Sequence, residues 1–147
     1  MRAARLALAV LIWGSLGLSL GLAQTVDFEL HTYPDCPVVF AGDNARAVAP
    51  GAPRRQFVTI RNESKKNTAA VIFQQTVPDA SVPDGSKTAI VAIERVSIVM
   101  APGAKTRVTI SVEEVRRKVP PGRPVLSVVA VEFLDGTQWN APTGSAQ

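Results

Sequence analysis

The chain is expected to fold as an all-β protein of two packed antiparallel sheets, and three observations carry that expectation. Runs rich in Val, Ile, Thr and Phe recur between stretches punctuated by Pro and Gly, the residue usage of strands and turns. Several of these runs alternate apolar and polar residues, the period-two pattern of a sheet with one buried and one wet face. No segment after Ala23 sustains a helical period; the best helical candidate, Glu113–Lys118, is only about one turn long.

In chain order the expected strands are Val26–Tyr33, Val38–Phe40, Arg55–Asn62, Thr68–Val77, Thr88–Met100, Lys105–Val112, Val125–Leu134 and Thr137–Asn140. Val58 and Ile60 form one inward stripe, with Phe57 out of phase. Val108, Ile110 and Val112 form a second and leave Arg107, Thr109 and Ser111 on the wet side; Val129, Val131 and Phe133 form a third. In Thr88–Met100 the phase changes. Val91 and Ile93 share one face and Val96, Ile98 and Met100 the other, so a bulge or break is expected near Glu94-Arg95. Pro50-Gly51, Pro102-Gly103 and Pro121-Gly122 suit type II turns: proline presets φ at the second position and glycine takes the positive φ of the third. Asp84-Gly85 marks a turn in the looser loop Pro78–Ser86. At Asp135-Gly136 a two-residue turn would set Trp139 across from Glu132. A three-residue loop with Gly136 left-handed instead pairs Phe133 with Thr137 and sets Trp139 opposite Val131. The second register is preferred because it joins the tryptophan to the apolar stripe.

About seven strands with regularly spaced turns match an immunoglobulin-like antiparallel β-sandwich. The inter-sheet disulfide and core tryptophan of antibody domains are missing, so the match is nearer to fibronectin-type modules. The sandwich is expected over residues 24–140, and Ala141–Gln147, small and polar, as a disordered tail. Three further segments stand in a distinctive order: Val58-Thr59-Ile60-Arg61-Asn62-Glu63-Ser64-Lys65-Lys66, then Ala70-Val71-Ile72-Phe73 and Met100-Ala101-Pro102-Gly103. The closing stretch is Val131-Glu132-Phe133-Leu134-Asp135-Gly136-Thr137-Gln138-Trp139. Together they resemble small exported bacterial proteins of unknown function, whose immunoglobulin-like sandwiches end in an aromatic-x-Asp-Gly-Thr-x-Trp hairpin. The resemblance covers Arg54–Asn140 and is most specific at the hairpin. It implies a fold and an exported compartment, and carries over no catalytic residue.

Met1–Ala23 reads as a secretory signal peptide. Arg2 and Arg5 supply a positive start, Leu6–Leu22 is uncharged and rich in Leu and Ala, and Gly21-Leu22-Ala23 sets small residues at −3 and −1 of a cleavage point before Gln24. The alternative, a retained anchor, is disfavoured because Leu6–Leu22 falls just short of the ~18–20 apolar residues of a spanning helix. Gln24 stands where a lipoprotein anchor would need Cys. Cleavage leaves one domain's worth of chain, long enough to bury a core without disulfides. It also takes the formal net charge from +4 to +2 by removing Arg2 and Arg5, too mild a balance to argue for nucleic acid.

Groups that carry chemistry are sparse. His31 is the sole histidine and Cys36 the sole cysteine of the chain. A serine triad lacks its base, since His31 reads as an edge-strand residue facing solvent and no Gly-x-Ser-x-Gly elbow follows the signal. A blue-copper set of two His, Cys and Met falls one ligand short, and structural zinc has two of four. Asp79 and Asp84 match no calcium-loop spacing. Cys36, in Tyr33-Pro34-Asp35-Cys36-Pro37, is expected as a small apolar side chain under a turn, with an interchain disulfide as the alternative. Asn62-Glu63-Ser64 matches a glycosylation sequon. No metal, cofactor or catalytic residue is expected.

Three basic clusters remain: Arg54-Arg55, Lys65-Lys66 and Arg116-Arg117-Lys118. Two of them meeting at one end of the sandwich could grip an anionic polymer or a lipid headgroup; otherwise they form a solvated rim that deters edge aggregation. The chain is therefore expected to be an exported, non-catalytic sandwich, periplasmic or extracellular, acting as an interaction or structural module of the cell envelope. Its partner is expected to be an envelope protein, met through loops at one end or by strand addition at an open edge. Lys65, Lys66, Arg116, Arg117 and Lys118 are the candidate contact residues. The alternative partner is an anionic surface polymer or polysaccharide, disfavoured as a sugar because aromatic residues are only 5% of the chain, with Tyr33 and Phe57 the ones open to stacking.

Overall fold

A computed structural model describes residues 25–42, 46–47, 54–82, 87–118 and 122–143. The expected signal segment Met1–Ala23, the turns at Pro50-Gly51 and Asp84-Gly85, Pro121 and the end of the tail lie outside the described residues.

Among the described residues nine strands and one short helix follow in the order β1 (Glu29–His31), β2 (Val38–Phe40), β3 (Arg46–Ala47), β4 (Arg55–Asn62), β5 (Thr68–Pro78), β6 (Thr88–Ser97), β7 (Lys105–Ser111), α1 (Glu113–Lys118), β8 (Val125–Phe133) and β9 (Gln138–Asn140). The all-β class holds. The first sheet has five strands in the order β1-β8-β5-β6, with β9 beside β1 on the same edge of β8. The second has four, with β2 and β3 along one side of β4 and β7 along the other. One core joins them: Val38, Val58, Ile60, Val108 and Ile110 from the second sheet meet Val71, Phe73, Leu126, Val128 and Val131 from the first. Phe28 and Phe73 are its largest fully buried side chains.

Strand alternation produces this layering directly. In β4 the buried residues are Gln56, Val58, Ile60 and Asn62, and Arg55, Phe57, Thr59 and Arg61 face out. Turn chemistry sets the rest. Gly103 takes φ +77° after Pro102, and Ala104 N donates to Ala101 O at 3.0 Å, the closure of the expected turn. Gly136 takes φ +82°, Phe133 N donates to Thr137 O at 3.0 Å, and Val131 pairs with Trp139. The three-residue register therefore holds, and Trp139 packs half-buried against the core.

Four expectations need correction. The sheets are not wholly antiparallel, because β1 runs parallel to β8, with Glu29 opposite Val125 and His31 opposite Ser127. The first expected strand, Val26–Tyr33, shortens to the three residues of β1, and Arg46–Ala47 adds a two-residue pairing with β4 where no strand was expected. The irregularity in β6 falls at Val91 instead of Glu94-Arg95: Gln75 pairs with Ala92 and Thr76 with Ile90, so Val91 is the extra residue. Ile93 consequently lies on the outer face, 61% exposed, and does not share the half-buried side of Val91.

Candidate functional site

The outer face of the second sheet gathers charge of one sign. The antiparallel register of β4 with β7 sets Arg61 opposite Lys105, Thr59 opposite Arg107, Phe57 opposite Thr109 and Arg55 opposite Ser111. All of these residues alternate with buried ones, so their side chains share the outer face. Like charges directly across a strand pair repel, and only part of this charge is answered locally. Arg61 is paired with Glu63, and Arg55 reaches Glu94 at 3.4 Å. Among the described residues Lys105 and Arg107 have no carboxylate partner. The Arg107 guanidinium lies over the Phe57 ring, 5.2 Å from its centroid. A cation–π contact of this kind steadies the guanidinium without neutralising its charge, which stays available to a carboxylate or phosphate. The first sheet's outer face is different: Arg95 is bound to Glu132, with Nε to Oε1 at 3.0 Å, and Ile90 and Ile93 stand exposed.

The basic clusters legible in the sequence divide between the two ends. Arg54-Arg55 and α1 lie at the same end, since Val112 N, just before α1, donates to Arg54 O at 2.8 Å. Part of their charge is answered nearby, Arg55 by Glu94 and Arg117 within its own helix. Arg117 pairs with Glu113 at 2.8 Å and Glu114 at 3.1 Å, an arrangement that also suits the helix dipole. Lys118 borders a hollow of about 220 Å³ lined by Val77, Pro78, Ile90 and Val91. Lys65 and Lys66 lie at the opposite end. Lys66 is engaged by Asp135 at 2.8 Å and Thr137 Oγ1 at 2.8 Å, and sits over Phe133. These contacts hold the Asp135 carboxyl well below the usual range, with Thr137 N–H and Oγ1–H adding to the effect of Lys66. The Asp-Gly-Thr of the hairpin thus has a structural role. Asp135 closes its own turn through Thr137 and fastens it to the β4–β5 loop through Lys66.

Cys36 is 7% exposed, and its Sγ–H donates to Val38 O at 3.0 Å. Burial pushes the thiol up to about 11. It sits at the end of a turn in which Pro34 is followed by Asp35 at φ +60° and Cys36 N donates to Tyr33 O at 3.2 Å. A bridge to another chain would require that turn to open. His31 is exposed on β1, edge-on to Tyr33 at 4.7 Å between centroids. Tyr33 and Phe57, open to stacking on sequence grounds, are both half-buried, one against the core and the other under Arg107. Among the described residues no group of three His, Cys, Asp or Glu converges, and no helix is long and apolar enough to cross a membrane.

The sequon is closed to modification in this fold. Asn62 is fully buried, both protons of its amide are engaged, one by Lys66 O at 2.8 Å and the other by Met100 O at 3.0 Å, and its Oδ1 accepts from Ser64 N and Oγ. Sequence reasoning missed Arg61, Lys105 and Arg107 as a group, although the wet phase of 107, 109 and 111 was visible; only the pairing of β4 with β7 brings them together. No protein-family model, curated protein or solved structure matches this chain.

Proposed function

We propose that this chain is an exported, non-catalytic β-sandwich module of the cell envelope, periplasmic or extracellular, that docks an anionic partner on the outer face of its second sheet. The observation that supports the reading is the grouping of Arg61, Lys105 and Arg107, with Arg55 at the far end, on one flat face where the local carboxylates answer only part of the charge. A surface of this kind raises the local concentration of a negatively charged partner and orients it on arrival. An envelope protein with an acidic surface is the leading partner. An anionic surface polymer is the second reading, favoured by the spread of cations along the strand direction from Arg61 to Arg55.

The test is crosslinking of the tagged protein in cells, in the wild type and in two charge-reversed forms. Arg61→Glu with Arg107→Glu removes the face; Arg116→Glu with Lys118→Glu alters only the α1 end. Loss of a captured partner in the first form and retention in the second is the expected result. Capture that survives the first form and fails in the second would move the contact to α1 and overturn the proposal.

A further inference from the structure

We infer that the free edge of β7 is a strand-addition site for an extended, acidic polypeptide segment of another protein. The inference rests on the anionic-partner reading above and specifies the partner's chemistry and where it seats. Among the described residues β7 pairs with β4 alone. The phase of that ladder decides which backbone groups are open. Val112 N donates to Arg54 O and Asn62 N to Ala104 O, so the even-numbered residues of this strand bond toward β4. The odd-numbered ones face away, as Ser111 demonstrates: its N–H goes to Glu94 Oε2 at 2.7 Å and its C=O accepts from Gln75 Nε2 at 2.6 Å. Lys105, Arg107 and Thr109 therefore turn their backbone groups to the open edge, where Thr109 O has only a 3.4 Å contact from Arg55.

The same three residues carry their side chains on the outer face, so backbone and charge recognition coincide. A strand laid along β7 would set every second side chain beside Lys105 and Arg107, and carboxylates at those positions make favourable cross-strand pairs. The seat has limits. Glu94 and Gln75 close it at Ser111, and the Pro102-Gly103 turn ends it before Lys105. The other long edge, β6, is protected by its bulge at Val91 and by Glu94 turned inward. β7 has an unbroken register from Ser111 to Lys105, and its protection is charge alone: Lys105 and Arg107 repel a basic strand and favour an acidic one. Its cations also exclude a second copy of itself, because two β7 edges would set Lys105 and Arg107 against their own kind.

The test uses the purified protein and a short peptide of alternating glutamate and threonine, with amide exchange read residue by residue. Three probes accompany it: the same peptide N-methylated on its edge-facing amides, the lysine–threonine counterpart, and polyphosphate. Binding that slows exchange at Arg107 and Thr109 by about tenfold or more, and weakens about tenfold on N-methylation, is the expected result. Lys105→Glu with Arg107→Glu should reverse the preference to the lysine peptide, a gain that an unfolded variant would not show. If the acidic and N-methylated peptides bind alike and exchange on β7 is unchanged, strand addition is wrong while the anionic face stands. If neither acidic peptide nor polyphosphate binds, both proposals fall.

Discussion

Truncating Asn62 should unfasten the end of the sandwich where four segments meet. Asn62 ends β4, and its side chain makes four hydrogen bonds: to Lys66 O and Met100 O as donor, and from Ser64 N and Ser64 Oγ as acceptor. Its backbone adds bonds to Ala104 O and from Gly103 N, and the next residue, Glu63, donates to Pro37 O. Met100 O keeps its bond from Thr68 N at 3.0 Å, so the cost is that of the four side-chain bonds: at a net ~1 kcal/mol per intramolecular hydrogen bond, Asn62→Ala should cost about 3–4 kcal/mol. That is a large share of the ~5–15 kcal/mol of a small domain, and at ~2 kcal/mol per molar urea it lowers the midpoint by about 1.5–2 M. Ser64→Ala, which removes the Oγ contacts alone, should cost about 1 kcal/mol. Asn62→Asp adds a test of sign. Ionised, it sets a carboxylate against two carbonyl oxygens, which raises its folded pKa above the ~3.9 of the unfolded chain. The ionic part of its penalty is then absent below that value and grows as pH rises through the folded pKa. Urea melts of the three variants at neutral and acid pH check the argument. An Asn62→Ala protein within about 1 kcal/mol of wild type would refute the claim that this side chain organises the end.

Asp135 behaves in the opposite sense: its folded pKa lies below the unfolded value, so its contribution is present above about pH 4 and is lost as pH falls through the folded pKa. Wild type should therefore lose more stability than Asp135→Asn between pH 4 and the acid limit, as read by urea midpoints. Cys36, with its thiol at about 11, should react with a thiol reagent at pH 8 about a hundredfold more slowly in the native protein than in urea; equal rates would show that the Tyr33–Pro37 turn opens readily. Gln56→Ala removes both bonds that hold Val26, and should cost about 2 kcal/mol while accelerating exchange at the Val26 and Phe28 amides ahead of the rest of the sandwich.

Much of the architecture was legible because its signals are local. The bounds of β2 and β4 follow from β-rich runs cut by polar turns, α1 from the one short stretch without a strand pattern, and the β8–β9 register from the need for a left-handed Gly136. What escaped depends on partners distant in the chain. The phase of β6 was misread because Glu94 occupies an inward position that an apolar count assigns elsewhere; its carboxylate is there to receive Ser111 N–H from the other sheet. Arg46–Ala47 is too short to show any period, and the parallel pairing of β1 follows from no feature of Glu29–His31 itself. The cationic face suffered most. Runs of adjacent basic residues draw the eye, yet in a strand adjacent residues point to opposite faces. Arg61, Lys105 and Arg107 share a face because they are spaced by two or paired across the ladder.

Side chains substitute for strands at two places in this fold, and the pattern bears on which edge is left open. Gln56 makes both bonds of a strand partner with Val26, accepting from its N–H at 2.6 Å and donating to its C=O at 3.0 Å. This ties the segment that leads into β1, a strand of the first sheet, to β4 of the second. Glu94 and Gln75 together do the same for Ser111. Gln75 is 1% exposed, and its Oε1 is a buried oxygen without a partner, so the amide gives up one bond in order to serve Ser111. An unpaired backbone group at a half-buried position costs free energy, and a polar side chain from the facing sheet is one way to recover it. The same need is weaker at Lys105 and Arg107, which are exposed and whose backbone water can satisfy, and at Thr109 the carbonyl has the 3.4 Å contact from Arg55. Water is a partner that another strand can displace. The boundary between the capped Ser111 and the uncapped Thr109 is thus a boundary between backbone the fold has closed to others and backbone it leaves available.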